Sequence, residues 1–112
     1  MTVARYVPDA GDIVWLKVDP QAGREQVGHR PALVLSSAAY NGKTSLMVCC
    51  PLTTRIKGYP FEVRISGSTA SVALADQVKS LDWRVRRATR KGQAQAAELA
   101  EARLKARAVI GA

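Results

Sequence analysis

Short runs of aliphatic and β-branched residues, separated by turn-forming residues, make up most of the first eighty positions. This pattern predicts strands over residues 12–18, 32–36, 44–52, 61–65 and 71–75. The third strand is expected to end near Pro51, and Asn41-Gly42 predicts a turn before it. The clean alternation in residues 61–65 predicts that one face of that strand meets water. Residues 76–81 are expected to be extended or irregular.

The composition changes after residue 83. Residues 84–91 are strongly basic and contain no acid, and Gly92 ends this run. Residues 94–110 are rich in alanine and contain no glycine or proline, which predicts a helix. Its apolar residues fall near one stripe at helical spacing: Leu99, Ala102, Ala106, Val109 and Ile110. Short strands followed by one helix predict a mainly β fold, either a small barrel or an open sheet capped by the helix.

The chain has 112 residues, which predicts a single domain over 1–112. Its net charge of +8 favours a polyanionic partner, most simply a nucleic acid. No apolar run reaches the roughly 20 residues of a membrane span, and the first residues do not resemble a signal peptide, so we expect a cytoplasmic protein. Cys49 and Cys50 are adjacent in a predicted strand, so we expect two buried residues on opposite faces, without a disulfide or a metal site.

One polar stretch carries the clearest candidate chemistry, and it reads Glu25-Gln26-Val27-Gly28-His29-Arg30-Pro31. It ends a long polar loop, residues 19–30, just before the second predicted strand. Cleavage of RNA through its own 2′-hydroxyl needs a base, an acid and a group that binds the developing phosphorane charge. Arg30 suits the third role, Glu25 could act as base, and His29 as base or acid. Alternatively, Glu25 and Arg30 form an ordinary loop salt bridge and His29 is a solvated residue.

Further polar residues follow two of the predicted strands. Thr53 and Thr54 come after the third strand, where their hydroxyls could donate to a phosphate or simply cap a turn. Gln77 and Lys79 follow the fifth strand and could contact bases or phosphates, or form an ordinary strand-end loop. The basic run 84–91 is either a surface that follows RNA or a solvated face.

Aromatic residues near these positions are candidates for base stacking. Tyr59 and Phe61 adjoin a polar loop and are the better candidates. Trp15 lies in a predicted strand and is expected in the core, whereas Trp83 could stack a base.

Several separated motifs also occur in a characteristic order: Arg5-Tyr6-Val7-Pro8-Asp9, Gly11-Asp12, Asp19-Pro20, Glu25-Gln26, Gly28-His29-Arg30-Pro31-Ala32, Thr53-Thr54, Lys57-Gly58-Tyr59-Pro60-Phe61-Glu62-Val63, Ala73-Leu74-Ala75-Asp76-Gln77-Val78-Lys79-Ser80 and Asp82-Trp83-Arg84. With these motifs the chain resembles the MazF/PemK family of bacterial toxins over nearly its whole length. The resemblance implies an SH3-like β-barrel of the CcdB/MazF type with a C-terminal helix.

The resemblance also implies an activity and partners. It implies an endoribonuclease toxin, or mRNA interferase, that needs no ribosome, metal or other cofactor. Such a protein cuts single-stranded mRNA at a short sequence, leaves a 2′,3′-cyclic phosphate and a 5′-hydroxyl, and stops translation. It is expected to be a homodimer in the bacterial cytoplasm, neutralised by a cognate MazE-like antitoxin.

Residue by residue, the resemblance implies that Arg30 and Thr53 form the core catalytic pair, with Glu25 and His29 as further catalytic residues. The residues expected to bind RNA are Gln26, Thr54, Lys57, Tyr59, Gln77 and Lys79. One alternative is a non-catalytic CcdB-like toxin that binds DNA gyrase. Another is a nucleic-acid-binding module without catalytic activity.

Overall fold

The computed structural model describes residues 6–18, 28–67 and 69–111. Within them, the elements in chain order are β1 (Asp12–Val18), β2 (Gly28–Val34), α1 (Ala38–Thr44), β3 (Leu46–Thr53), β4 (Glu62–Ile65), β5 (Ser71–Leu74), a 3₁₀ turn (Ala75–Gln77), β6 (Lys79–Asp82), β7 (Thr89–Gln93) and α2 (Ala96–Ile110). The predicted mainly β fold with a C-terminal helix is confirmed. No helix in the described part of the chain is long and apolar enough to cross a membrane.

All strand pairs are antiparallel, and the strands follow the order β4-β5-β3-β2-β1-β7, with β6 pairing β3. β3 is therefore central, since it pairs with β2, β5 and β6. At one end of its pairing with β2, Pro51 lies opposite Ala32. This register decides which residues of β2 and β3 share a face.

The sheet has an apolar cluster on each face. One cluster includes Leu33 and Cys50 and packs against α2. The other includes Val34, Cys49 and Trp83 and lies beneath the N-terminal segment. Both cysteines are buried free thiols, and burial raises the pKa of Cys49 to about 11 and that of Cys50 to about 12. The prediction that they occupy the core on opposite faces is confirmed.

α2 packs on the sheet through small residues. Ala102 and Ala106 are buried, whereas Val109 and Ile110 are 44% and 69% exposed. The predicted apolar stripe is therefore wrong at its C-terminal end, where these two side chains meet solvent. At its start, Gln95 and Glu98 form a capping box that satisfies the first backbone donors of the helix.

The predicted turn at Asn41-Gly42 is wrong, because both residues lie in α1. The side chain of Ser37 accepts a hydrogen bond from the N–H of Tyr40 and begins the helix. Asn41 is fully buried, and its amide donates to the carbonyls of Pro8 and Ser36 at 2.7 and 3.0 Å. These tertiary hydrogen bonds outweigh the local turn preference of the Asn-Gly pair.

Two strand limits also differ from the prediction. β2 begins at Gly28, so His29 and Arg30 are strand residues rather than loop residues. β3 continues past Pro51 to Thr53, because Pro51 keeps its place opposite Ala32 although it has no N–H to donate. The basic run also contains the start of a strand that was not predicted, since β7 pairs with β1.

Candidate active site

The predicted catalytic pair, Arg30 and Thr53, lies on two neighbouring strands. The β2–β3 register pairs Ala32 with Pro51, β2 continues back to Gly28 beside β1, and β3 continues to Thr53 beside β5. Counted two residues further in the same register, Arg30 and Thr53 stand at the same level and on the same face. Arg30 is exposed. The fold therefore gives an exposed cation and a hydroxyl group a common face at one end of the sheet.

The hydroxyl of Thr53 keeps its proton available for a ligand. Its Oγ1 accepts a hydrogen bond from the N–H of Arg55 at 3.1 Å. A threonine hydroxyl has one proton and two lone pairs, so accepting this bond uses one lone pair only. Thr53 can still donate to an oxygen of a bound anion.

Thr53 also lines two cavities. The larger has a volume of about 530 Å³ and an apolar floor that includes Trp15, Pro31 and Leu52. Its edge carries hydroxyl groups, among them that of Thr54, and one ammonium group: Lys91 Nζ lies 5.2 Å from the centre of the Trp15 ring. Trp15 was expected in the core, but it is only partly buried and forms part of this cavity wall. An apolar floor with a cation above a ring suits a planar, negatively charged ligand.

The smaller cavity, of about 150 Å³, brings several of the predicted RNA-binding residues together. Its lining residues are Thr53, Arg55, Lys57, Tyr59, Glu62, Leu74 and Gln77. Four of these come from the sequence prediction, and they belong to three separate segments of the chain. Lys79 is exposed in β6 opposite Cys49, and it is not among the described residues that line either cavity.

Tyr59 is held at the edge of the smaller cavity by Asp76. The Tyr59 hydroxyl donates to both carboxylate oxygens of Asp76, at 2.7 and 2.8 Å. This hydrogen bond raises the pKa of Tyr59 above its usual value, so the hydroxyl stays protonated. The ring of Phe61 packs edge-on against Tyr59 with 6.5 Å between ring centres. Trp83, in contrast, is buried and donates its indole N–H to the carbonyl of Asn41, so it is not placed to stack a base.

His29 does not share a face with Arg30. Neighbouring residues of a strand point to opposite faces, and His29 stands across from Lys17 while Arg30 stands across from Leu16. His29 lines a separate cavity of about 410 Å³ with Trp15 and Thr89. Glu25 and Gln26, the other predicted residues of this stretch, lie outside the described residues.

Glu62 is a site residue that the sequence prediction missed. The alternation in residues 61–65 predicted a wet face containing Glu62, but its side chain is buried, with 8% of the residue exposed. Its two carboxylate oxygens accept the backbone N–H groups of Lys57 and Gly58 at 2.9 and 2.8 Å. Successive N–H groups beside a glycine at positive φ are a common anion-binding arrangement, and the Lys-Gly pair was the sequence signal for it.

Comparisons with known proteins agree with this architecture. Residues 9–110 match the model of a family described as PemK-like, MazF-like toxin of type II toxin-antitoxin system. The chain is 54% identical over 110 residues to the endoribonuclease toxin MazF of Escherichia coli K12, covering 97% of this chain and 99% of that protein. Two crystal structures from Deinococcus radiodurans are also similar. The MazE-MazF complex, form II, is 57% identical with a TM-score of 0.89 and covers 96% of this chain and 98% of that chain. MazF alone, form I, is 56% identical with a TM-score of 0.85 and covers 96% and 100%.

The chain belongs to the PemK-like, MazF-like family of type II toxins. The family predicted from the sequence, the MazF-type barrel fold and the enzyme class, endoribonuclease, are confirmed by these matches.

Proposed function

We propose that this protein cleaves single-stranded mRNA at a short sequence, without a ribosome or a metal ion, and so stops translation. The observation that carries the proposal is the β2–β3 register, which, continued two residues beyond the Ala32–Pro51 pair, puts Arg30 and Thr53 on a common face at the ends of these strands. An exposed guanidinium beside a hydroxyl that can donate is suited to a phosphodiester.

The proposed reaction breaks one bond and forms another at the same phosphorus. The 2′-oxygen attacks the phosphorus, a base takes the 2′-hydroxyl proton, and the bond to the 5′-oxygen breaks as that oxygen receives a proton. The products are a 2′,3′-cyclic phosphate and a 5′-hydroxyl. Arg30 binds the non-bridging oxygens, whose charge grows in the transition state, and Thr53 donates a hydrogen bond to the same phosphate.

Proton transfer is assigned to Glu25 and His29. Because His29 faces the opposite side of β2 from Arg30, Glu25 is the preferred base at the phosphate held by Arg30. His29 is then the proposed acid, which gives its proton to the leaving 5′-oxygen from the side of β2 where Trp15 and Thr89 line the same cavity.

The two cavities provide the remaining RNA contacts in this proposal. Lys57 neutralises a phosphate, and Tyr59 and Gln77 contact an adjoining nucleotide in the smaller cavity. The larger cavity accepts a base on the ring of Trp15, with Thr54 at its edge. Gln26 and Lys79 contact the RNA beyond these cavities.

We also propose that the protein acts in the bacterial cytoplasm as a homodimer of single-domain chains and is inhibited by a MazE-like antitoxin. Support comes from the similar crystal structure of MazE-MazF from Deinococcus radiodurans. An antitoxin segment lying over Arg30 and Thr53 would exclude RNA.

The decisive experiment incubates the purified protein with a long single-stranded RNA in EDTA and maps the cut ends by primer extension. Wild type should give discrete cuts, and Arg30→Ala should lower the cleavage rate by about 100-fold or more, the usual loss when a transition-state charge partner is removed. Lys43→Ala, which removes an exposed cation from α1, should cleave like wild type. RNA left intact by wild type, or cut equally well by Arg30→Ala, would overturn the proposal.

A further inference from the structure

Glu62 stands at the point where several segments around the smaller cavity meet. It is the first residue of β4, and its carboxylate accepts hydrogen bonds from the N–H groups of Lys57 and Gly58. Its backbone carbonyl accepts a hydrogen bond from Lys105 Nζ of α2 at 2.9 Å. We propose that Glu62 is a positioning residue for RNA binding and cleavage, which holds the 57–59 loop so that Lys57 and Tyr59 face the cavity lined by Thr53. This inference rests on the proposed function and adds a residue that acts through the loop rather than on the RNA.

The carboxylate and the loop depend on each other. A buried carboxylate is stable only where donors replace the water it has lost, and both of its oxygens receive a backbone N–H. The loop in turn needs Gly58 at a φ of +84°, a conformation that residues with a Cβ rarely adopt. Without the Glu62 carboxylate, no acceptor would hold these two N–H groups in their present directions.

The far end of the loop is tied down independently. The Tyr59 hydroxyl donates a hydrogen bond to Asp76, and the Tyr59 carbonyl accepts a hydrogen bond from the N–H of Glu62 at 3.1 Å. The loop is thus fixed at residues 57 and 58 by one carboxylate and at residue 59 by another. Between these ties, the side chains of Lys57 and Tyr59 both line the cavity that Thr53 and Gln77 also line. A ligand entering the cavity meets a loop whose backbone is already fixed, so binding does not have to order that backbone.

The test uses Glu62→Gln, which keeps the shape of the side chain but loses its charge. In wild type each N–H group donates to a different oxygen of Glu62, so a glutamine in the same position turns its NH₂ toward one of them and loses that hydrogen bond. With a short single-stranded RNA assayed well below the melting temperature of each variant, we expect KM to rise about tenfold, since the loop that carries Lys57 and Tyr59 must then be ordered on binding. The value of kcat should fall less, because Arg30 and Thr53 lie on strands that the substitution does not reach.

A double-mutant cycle separates positioning from a general loss of structure. If Glu62 acts through the loop, Glu62→Gln should change kcat/KM by less than about threefold in a Lys57→Ala background. Equal fold losses in both backgrounds would overturn the inference. Asp82→Asn is the control for loss of a carboxylate charge elsewhere, since one oxygen of Asp82 accepts the N–H groups of both Arg84 and Val85, and Asp82 pairs with Leu46 at the other end of β3. It should leave kcat/KM within twofold of wild type.

Wild-type protein supplies a second test that does not depend on a variant folding. In amide hydrogen exchange, the Lys57 and Gly58 N–H groups should be protected well beyond other exposed loop amides. Exchange at the rate of an unstructured peptide would overturn the inference. If wild type leaves the RNA intact, the proposed function fails and the inference fails with it. If wild type cleaves and Glu62→Gln keeps its kcat/KM, only the inference fails.

Discussion

Lys57 allows the proposed RNA surface to be tested through salt dependence. Its side chain is exposed and lines the smaller cavity beside Thr53, where a phosphate of bound RNA would lie. Lys43 is a matched control, because it is an exposed lysine in the last turn of α1, just before the start of β3. From Leu46 to Thr53 the strand makes seven steps, or about 23 Å. That distance is well over twice the Debye length of about 8 Å at physiological salt.

The size of the effect follows from the release of counterions. Each phosphate neutralised on a single strand contributes about 0.7 to the slope of log affinity against log salt. Lys57→Ala should therefore make the slope shallower by about 0.7, whereas Lys43→Ala should leave it unchanged. Between about 50 and 200 mM salt, the loss of affinity should then be about 2.6-fold smaller for Lys57→Ala than for wild type.

The assay is fluorescence anisotropy with a labelled single-stranded RNA whose 2′-hydroxyls are methylated, so that it binds without being cut. Affinity is measured at several salt concentrations for wild type and the two variants. Because both lysines are exposed, both variants should melt at the wild-type temperature. Equal slopes for the two variants, or a larger change in Lys43→Ala, would show that the cavity lined by Lys57 does not receive a phosphate.

Three further predictions concern stability. Leu33→Ala removes a fully buried side chain of β2 and should cost about 2–5 kcal/mol, or roughly 8–20 °C in melting temperature for 112 residues, as measured by calorimetry. Because burial raises the pKa of Cys49 and Cys50 to about 11 and 12, above about pH 9 the unfolded chain loses thiol protons that the folded chain keeps. The free energy of unfolding should then fall with rising pH by up to about 1.4 kcal/mol per pH unit and per thiol. Urea titrations at several pH values measure this free energy, and in the double Cys→Ala variant it should fall less steeply with pH. Gly58→Ala should cost about 1–2 kcal/mol because of its positive φ. Gly67→Ala, which has open space around it, should change the same melting curves little.

The sequence predicted the strands well where local pattern and tertiary packing agree. β1 has the predicted limits, and the strand over residues 71–75 and the C-terminal helix were found within a residue or two. It failed at Asn41-Gly42, because the side-chain amide of Asn41 donates to Pro8 and its backbone carbonyl accepts a hydrogen bond from Trp83, and both partners are distant along the chain. β7 was missed because its exposed basic residues carry no apolar alternation, and its pairing with β1 is what makes it a strand.

The arrangement of the site residues was harder to predict than the strands, for a physical reason. A motif indicates which residue types occur together, but it does not indicate which face of a strand each one occupies. His29 and Arg30 are neighbours in sequence, yet once β2 begins at Gly28 they must point to opposite faces. Glu62 was expected to meet water because it alternates with Val63, and only the two N–H groups of the preceding loop explain its burial.

The candidate site therefore contains residues that are held in place in two different ways. Arg30 and Thr53 are placed by the register of β2 and β3, and a shift of that register by one residue would exchange the side chains that β2 gives to the two apolar clusters, so their relation is held by the packing on both faces. Lys57 and Tyr59 are placed by a loop that two carboxylates, Glu62 and Asp76, tie down. The chemical step of cleavage needs the same geometry for every RNA, which strands supply. Base preference differs between ribonucleases, and it can change through loop residues without moving the pair that we propose contacts the phosphate.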